Sequence, residues 1–224
     1  IYNNFKFRLS KPHTVVQTEK NILIANNVFE ENSEKIERLS IDKIYQNTNW
    51  SDPIEINELY KSKLNPKDDR YDSATIYYKR LSFWAGGYNY YSINNILSDI
   101  ITIYDESWGV WYNKKFPSGE QKTGVSCISN GDLLVFAGGF KGNMDIDNYS
   151  DKVEIYNSNL HYSNDEAWSY EILPSGGRCN IQLANINHNI LFYGGYGKHG
   201  ICNYIDIYNT KEKNYGWTKV MLPN

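Results

Sequence analysis

The chain has 224 residues, a formal net charge of −3, and 41% hydrophobic and 15% aromatic residues. This length allows one large domain or two small ones. The slight negative charge gives no electrostatic basis for binding nucleic acid or an anionic membrane surface. Apolar runs of about seven residues are too short for a spanning helix, so we expect no membrane insertion.

The first residues and the cysteines bear on location. The sequence starts at Ile1 rather than Met, so we expect it to begin inside a longer protein. Residues 1–10 lack the charged start and apolar stretch of a signal peptide, which favours a cytoplasmic location. Cys127, Cys179 and Cys202 form no CxxC pair, and an odd number of cysteines disfavours a disulfide scaffold.

Four short hydrophobic runs recur along the chain. They cover residues 22–25, 81–85, 133–137 and 190–193. Runs of aromatic and β-branched residues that stop at glycine predict buried strands. The last three are followed by glycine pairs: Gly86 and Gly87, Gly138 and Gly139, Gly194 and Gly195. The first is followed by Asn26 and Asn27, and asparagine is the residue that best replaces glycine at positive φ.

Two further segments follow each run. Residues 98–105, 150–157 and 203–209 alternate apolar and polar side chains, as a half-buried strand does. The tyrosines of these segments are Tyr104, Tyr156 and Tyr208. A segment with a tryptophan comes next in each copy: Trp111, Trp168 and Trp217, with Trp50 in the first. Proline and glycine then end the strand and turn the chain.

A basic residue precedes each glycine pair at a constant distance. Arg70, Lys122 and Arg178 each lie 16 residues before the first glycine of their pair. Each unit therefore predicts four strands: one after the basic residue, one before the glycine pair, one with tyrosine and one with tryptophan. A four-stranded unit of roughly 50 residues is typical of a propeller blade.

The order of glycine pair, tyrosine and tryptophan is similar to the kelch repeat, over residues 11–223. The resemblance implies an all-β, kelch-type β-propeller related to the galactose oxidase-like propellers. We expect four four-stranded blades plus the final strand of a preceding blade. Because such propellers are often six-bladed, we expect additional blades or domains in the parent chain. The predicted units of this one domain are residues 1–10 (end of a preceding blade), 11–56 (a degenerate blade), 57–68 (a loop or linker), and the blades 69–117, 118–174 and 175–224.

The repeated residues have a structural interpretation. Glycine lets the chain leave the second strand at positive φ without a Cβ clash. Large aromatic side chains fill the wedge between neighbouring blades. We therefore assign structural roles to Gly86, Gly87, Gly138, Gly139, Gly194, Gly195, Tyr104, Tyr156, Tyr208, Trp111, Trp168 and Trp217.

No catalytic or metal-binding pattern stands out. Residues 195–200 match GxGxxG, but a strand rather than the required helix is predicted next. The spacing of Asp145, Asp147 and Asp151 does not match the EF-hand ligand pattern, so we expect a solvated acidic loop. No histidine spacing suits a metal, and no serine or cysteine nucleophile motif is present. We expect a non-enzyme without metal or cofactor.

Binding in propellers belongs to loops at one face of the disc. The loops after the glycine pairs mix aromatic and polar residues, which suits contact hot spots. Their candidate binding residues are Tyr88, Asn89, Tyr90, Phe140, Lys141, Asn143, Tyr196, Lys198 and His199. Arg70, Lys122 and Arg178 could ring the central opening and bind an acidic peptide. Alternatively, each pairs with a neighbouring Asp or Glu and holds adjacent blades together.

The resemblance implies a protein–protein interaction or scaffolding module that recruits a protein or acidic peptide. The alternative is a targeting domain of an enzyme or a propeller framework for one. Relatives in this second class include ubiquitin-ligase adaptors, phosphatase-fused propellers, and oxidase or sugar-acting propellers.

Overall fold

The computed structural model describes residues 14–17, 21–26, 35–40, 70–88, 97–142, 148–211 and 216–222, with backbone alone in the first three segments. The described residues are β-strands and connecting turns, apart from a short 3₁₀ helix at Asp165–Ala167. The predicted all-β class is confirmed. Within these residues, no helix has the length and apolar character needed to span a membrane.

The strands form four main antiparallel sheets of three or four strands, each with its strands adjacent in chain order. Sheet I contains β1 (Thr14–Gln17), β2 (Asn21–Asn26) and β3 (Lys35–Ser40). Sheet II contains β4 (Ala74–Tyr78), β5 (Leu81–Ala85), β6 (Ile100–Asp105) and β7 (Val110–Lys115). Sheet III contains β8 (Ser126–Asn130), β9 (Leu133–Ala137), β10 (Lys152–Asn157) and β11 (Trp168–Ile172).

Sheet IV is interrupted by a small additional sheet. It contains β13 (Gln182–Ile186), β14 (Asn189–Tyr193), β17 (Tyr204–Asn209) and β18 (Trp217–Met221). The small sheet contains β12 (Arg178–Cys179), β15 (Tyr196–Gly197) and β16 (Gly200–Ile201). The segment that matches GxGxxG therefore forms a hairpin and leads into the predicted strand.

In sheets II and III, burial is greatest in the second strand and falls towards the fourth. All residues of β5 and β9 are buried, because apolar side chains on both sides of these strands are covered by neighbours. The fourth strands β7 and β11 carry mostly exposed or partly exposed residues. The hydrophobic runs before the glycine pairs thus form the interior of the fold.

Successive sheets lie side by side through their first strands. β1 lies beside β4, β4 beside β8, and β8 beside β13. Each sheet then extends outwards from this inner row in strand order. This arrangement of antiparallel sheets is consistent with a β-propeller-like fold.

Two hydrophobic clusters fill the spaces between sheets. Between sheets II and III, Phe83 packs against Phe136 and Tyr156, with ring centroids 6.0 and 5.8 Å away. Between sheets III and IV, the buried cluster includes Val135 and Phe192. The core of the molecule therefore lies between sheets rather than inside a single one.

Candidate functional site

The strand register brings three chain segments to one end of each sheet. In sheet II, Ala74 pairs with Ala85, and Ala85 pairs with Ile101. At one end of the sheet, the first strand therefore starts, the second ends, the third starts and the fourth ends. We call it the diglycine end, after the pairs at 86–87, 138–139 and 194–195. The loops after the glycine pairs and the connections from a fourth strand to the next sheet therefore lie at this same end.

Glycine is required at these pairs for two reasons, the backbone conformation and the space available for a Cβ. All six glycines have positive φ, from 62° at Gly194 to 114° at Gly139, which is the conformation that L side chains resist. A Cβ at Gly86 would lie 2.5 Å from the carbonyl oxygen of Lys122, which belongs to the next sheet. A Cβ at Gly138 would fall on the carbonyl oxygen of Arg178. The pairs therefore permit both the turn and the close approach of the next sheet.

Backbone hydrogen bonds join adjacent sheets at these glycines. The amide of Gly87 donates to the carbonyl of Lys122 (2.9 Å), and the amide of Lys122 donates to the carbonyl of Ser98 (3.1 Å). One sheet further on, Gly139 donates to the carbonyl of Arg178 (3.0 Å), and Arg178 donates to the carbonyl of Ser150 (3.2 Å). The backbone at each basic residue is thus held by the preceding sheet.

The side chain of Lys122 forms a fully buried ion pair. Its Nζ lies 2.7 Å from Oε1 of Glu154, and neither side chain is exposed. Ser118, in the turn that follows β7, donates its amide (3.1 Å) and its hydroxyl to the same carboxylate. Burial lowers the pKa of Lys122 below its ordinary value, and the charge of Glu154 opposes that shift. The three residues link sheets II and III.

Arg178 repeats this arrangement between sheets III and IV. Its NH1 group donates to Asp206 (2.9 Å), and Ser175 donates its hydroxyl to the other oxygen of that carboxylate (2.7 Å). The guanidinium also lies over the ring of Tyr204 at 4.9 Å. Arg178 and Asp206 are fully buried.

Arg70 uses different acceptors in sheet II. It donates to the carbonyls of Gly86 (2.9 Å) and Ile100 (2.5 Å) and to the hydroxyl of Thr102 (2.7 Å). Thr102 occupies the strand position that Glu154 and Asp206 hold in the following sheets. The guanidinium therefore ties the second and third strands together in this unit.

These contacts bear on the prediction that Arg70, Lys122 and Arg178 ring the central opening and bind an acidic peptide. Lys122 and Arg178 are fully buried and Arg70 is nearly so, so these side chains offer a partner little or no surface. For Lys122 and Arg178 the contacts are those of the structural alternative, a carboxylate partner and a link between sheets. Direct binding of an acidic peptide by these cations stays a prediction that their burial disfavours.

The diglycine end also carries a repeated short ladder. In sheet II, Tyr71 pairs with Tyr88, which pairs with Leu97. In sheet III the same positions are Thr123, Phe140 and Tyr149. In the fourth unit they are the strands β12, β15 and β16. Each residue directly after a glycine pair is therefore held in a backbone ladder.

Aromatic side chains connect these ladders across two units. The ring centroid of Tyr149 lies 5.6 Å from that of Phe140 and 6.1 Å from that of Tyr196. Tyr196 is 51% exposed and Ile201 is 86% exposed. We call the residues Tyr88, Phe140, Tyr149, Tyr196, Lys198, His199 and Ile201 the rim.

The polar side chains in and beside the rim differ in the contacts that they make. Lys198 and His199 are exposed. Lys141, beside Phe140, is held by Glu120 at 3.0 Å. Glu120 also accepts a hydrogen bond from the hydroxyl of Ser150 at 2.5 Å. Among the rim residues, Lys198 therefore carries an exposed positive charge, whereas Lys122 and Arg178 are buried.

Four of the tyrosines and tryptophans assigned to structure lie in the two clusters between sheets, and Tyr104 and Trp111 lie in a separate cluster on the other face of sheet II. Tyr156 stacks on Trp168 (4.8 Å), and both are buried. Tyr208 is buried beside Trp217 at the same centroid distance, 4.8 Å. Tyr104 and Trp111 are partly buried, with centroids 4.7 Å apart, next to Trp84.

Several predicted residues lie outside the described part of the chain. They are Asn89, Tyr90, Asn143, Asp145, Asp147 and Trp50, together with the expected final strand of a preceding blade within residues 1–10 and the linker 57–68. The unit boundaries stay predictions. Among the residues that are described, no group of three or more His, Cys, Asp and Glu side chains could hold a metal ion.

Sequence reasoning gave an Asp or Glu partner for each cation as an alternative, but it did not identify which carboxylates and serines engage Lys122 and Arg178. Glu154 and Asp206 lie in the middle of the third strands, between apolar neighbours, 32 and 28 residues after their cations. A charged residue between buried neighbours in the third strand was the available signal, because a buried charge needs a partner.

Comparison with known proteins gives a likeness of fold. No protein-family model and no curated protein matches the sequence. The solved structure of YjhT is similar, with a TM-score of 0.60 and 12% sequence identity. The match covers 95% of this chain and 65% of that one. At this identity the likeness concerns the fold alone, and this chain spans about two thirds of the length of YjhT.

Proposed function

We propose that the chain is part of a kelch-type propeller that recruits a protein partner through the rim at its diglycine end. The repeated glycine pairs, tyrosines and tryptophans support the family, and the side-by-side sheets support the propeller. The observation that carries the binding role is the rim: aromatic residues at equivalent positions of successive units, supported by backbone ladders.

The rim combines two properties of protein-binding surfaces. Its backbone is held by a buried scaffold, so little conformational entropy is lost when a partner binds. Exposed tyrosine contributes large contact area at low entropic cost, and aromatic residues are enriched in binding hot spots. Tyr196 and Ile201 supply such area beside the exposed Lys198.

The exposed lysine of the rim, Lys198, favours an acidic segment as the partner. Lys198 and His199 stand at the tip of the β15–β16 hairpin, next to Tyr196. Lys122 and Arg178 contribute by fixing the sheets that support this hairpin, rather than by touching the partner. An acidic peptide with an aromatic or aliphatic side chain would complement both features.

A binding screen with acidic peptides tests this proposal. We expect the best peptide to lose at least tenfold in affinity with Tyr196→Ala and several-fold with Lys198→Ala, at unchanged thermal stability. Tyr170→Ala is the matched control, because Tyr170 is 46% exposed but lies in the outer strand β11. Equal binding by all three variants and the unmodified chain would refute the rim as the binding surface.

The enzyme alternative predicts a different experimental result. No specific contact among the described residues favours a targeting domain or an oxidase or sugar-acting framework over a binding module. A turnover assay on the parent protein, with the rim variants alongside, would separate the two classes. Loss of turnover without loss of peptide binding would favour the enzyme.

A further inference from the structure

A lysine beside the rim is held by a carboxylate that also faces the interior. Lys141 directly follows the rim residue Phe140, and its Nζ lies 3.0 Å from Oε1 of Glu120. The side chain of Lys141 is 27% exposed and that of Glu120 is 17% exposed. Because both charges are partly shielded from water, their attraction is screened less than that of a fully exposed pair.

The second carboxylate oxygen of Glu120 faces the buried ion pair between sheets II and III. This Oε2 accepts a hydrogen bond from the hydroxyl of Ser150 (2.5 Å) and lies 3.9 Å from Nζ of Lys122. Burial lowers the pKa of Lys122, and the charges of Glu154 and Glu120 oppose that shift. The charge of Lys141 adds to it. The charges therefore alternate in sign from the interior to the rim, with Glu120 between the two lysines.

The unit that follows lacks both members of this partly exposed pair. Two glycines, residues 176–177, precede its buried cation and provide no counterpart of Glu120. Gly197 follows its rim tyrosine in the place of Lys141. Its own rim lysine, Lys198, is exposed at the tip of the β15–β16 hairpin. The carboxylate and the lysine are thus present together in one unit and absent together in the next.

The two lysines lie at opposite ends of the aromatic row of the rim. The row runs from Phe140 through Tyr149 to Tyr196, with neighbouring ring centroids 5.6 and 6.1 Å apart. Lys141 adjoins the first of these residues, and Lys198 comes two residues after the last. A partner that lies along the row would meet a carboxylate-bound lysine at one end and an exposed lysine at the other.

We infer that Glu120 determines which end of the aromatic row accepts an acidic residue of the partner. It is a positioning residue, because it acts through Lys141 rather than by touching the partner. To bind Lys141, a carboxylate of the partner would have to displace Glu120, which is partly buried and would lose its nearest cation. At Lys198 there is glycine in place of that carboxylate, so no such displacement is needed.

The inference rests on the proposed function of the rim and specifies the charge pattern of its partner. The preferred segment carries its acidic residues on one side of its apolar residue, towards Lys198, and none on the side of Phe140. Acidic residues on both sides bring no additional affinity, because Glu120 already occupies the second lysine.

Two peptides of equal length test the inference. Both carry a central phenylalanine, and glutamates stand on one side of it in the first peptide and on both sides in the second. The unmodified chain should bind the two peptides within about twofold of each other. Glu120→Gln keeps an acceptor for Ser150 but removes the charge, so it should bind the two-sided peptide about tenfold more tightly than the one-sided peptide. This preference should weaken as the salt concentration rises.

Two further variants separate this role from a general effect of charge or of folding. Asp132→Asn removes the same charge from an ion pair with Lys79 at the opposite end of the sheets. If it created the same preference as Glu120→Gln, net charge would explain the result and the inference would be wrong. Adding Lys141→Met to Glu120→Gln should abolish the preference. A preference that survived this change would mean that Glu120 does not act through Lys141, which also overturns the inference.

The outcomes distinguish this inference from the proposed function. If neither peptide binds, or if Tyr196→Ala leaves binding unchanged, the proposed function fails and the inference fails with it. If binding depends on Tyr196 but Glu120→Gln shows no preference, the inference alone is wrong.

The reactivity of the lysine amines provides a readout that needs no peptide. Acetylation of Lys141 by an N-hydroxysuccinimide ester, followed by mass spectrometry, should be at least about fivefold faster in Glu120→Gln than in the unmodified chain, since the carboxylate favours the unreactive ammonium form. Lys79 should react equally in both proteins. Equal reactivity of Lys141 in the two proteins would show that Glu120 does not hold it and would overturn the inference.

Discussion

The two faces of sheet IV share one repeat pattern but have opposite environments. The face towards sheet III contains Ile190 and Phe192, which are fully buried, whereas the outer face contains Tyr193, which is exposed. The strands of sheet IV are as apolar as those of sheet III. The comparison shows that a unit of this kind cannot bury its own apolar surface and depends on a neighbour for it, as repeat architectures do.

The largest difference between the faces should appear at the first glycine of each pair. Gly138→Val places a Cβ on the carbonyl of Arg178 and forces a side chain into positive φ. We expect a loss of more than about 4 kcal/mol in the free energy of unfolding. Gly194→Val meets open space and should cost only the backbone strain, about 1–3 kcal/mol. Urea denaturation of both variants measures the gap, and equal losses would contradict the model of inter-sheet contact.

The buried ion pair provides the next test. Glu154→Ala leaves the fully buried Lys122 without its carboxylate, and the expected loss is about 3–5 kcal/mol. The control removes an exposed pair between sheets: Asp132→Ala takes away the carboxylate partner of Lys79, whose side chain is 46% exposed. We expect that control to change the melting temperature little. If both variants melted alike, the buried pair would not be holding sheets II and III together.

The leucines that end the fourth strands give a matched pair of deletions. Leu173→Ala empties a fully covered site and should cost about 2–5 kcal/mol. Leu222→Ala removes a side chain that is still partly exposed, so the loss should be about 1 kcal/mol or less. Thermal unfolding of the two variants measures both losses of stability. A larger loss with Leu222→Ala than with Leu173→Ala would contradict the comparison.

The smallest effect is expected at the serine that reaches across the sheets. Ser118→Ala removes one hydroxyl donor to Glu154 but retains the amide donor of the same residue. We expect a loss of about 1–2 kcal/mol. A double-mutant cycle with Glu154→Gln measures the coupling, and additive losses would show that the hydroxyl contributes nothing to the inter-sheet contact.

The sequence predicted the strands well because their signals are local. Gly138 and Gly139 directly follow an apolar run. Tyr156 and Trp168 lie in the next two segments, which form an antiparallel hairpin. All-β class, strand order and the use of positive φ at the glycines could therefore be anticipated. The small sheet β12–β15–β16 could not, because its strands contain only two residues each.

The site was harder to predict because its contacts are distant in sequence. The constant offset of Lys122 and Arg178 indicated a shared role but left open whether they face a partner or a carboxylate. The choice depends on Glu154 and Asp206, which approach only when the third strand folds back beside the second. The rim was predictable as a set of loop residues, but the contact of Tyr149 with Tyr196 joins two units and required the packed sheets.

Native-state amide exchange at the second glycine of each pair tests the central claim most directly. If successive units are stacked sheets held through their glycine pairs, the amides of Gly87 and Gly139 should exchange slowly, near the rate of global unfolding. The amide of Gly195 should exchange orders of magnitude faster. Equal exchange at all three positions would contradict the stacked arrangement and the distinction between covered and open faces.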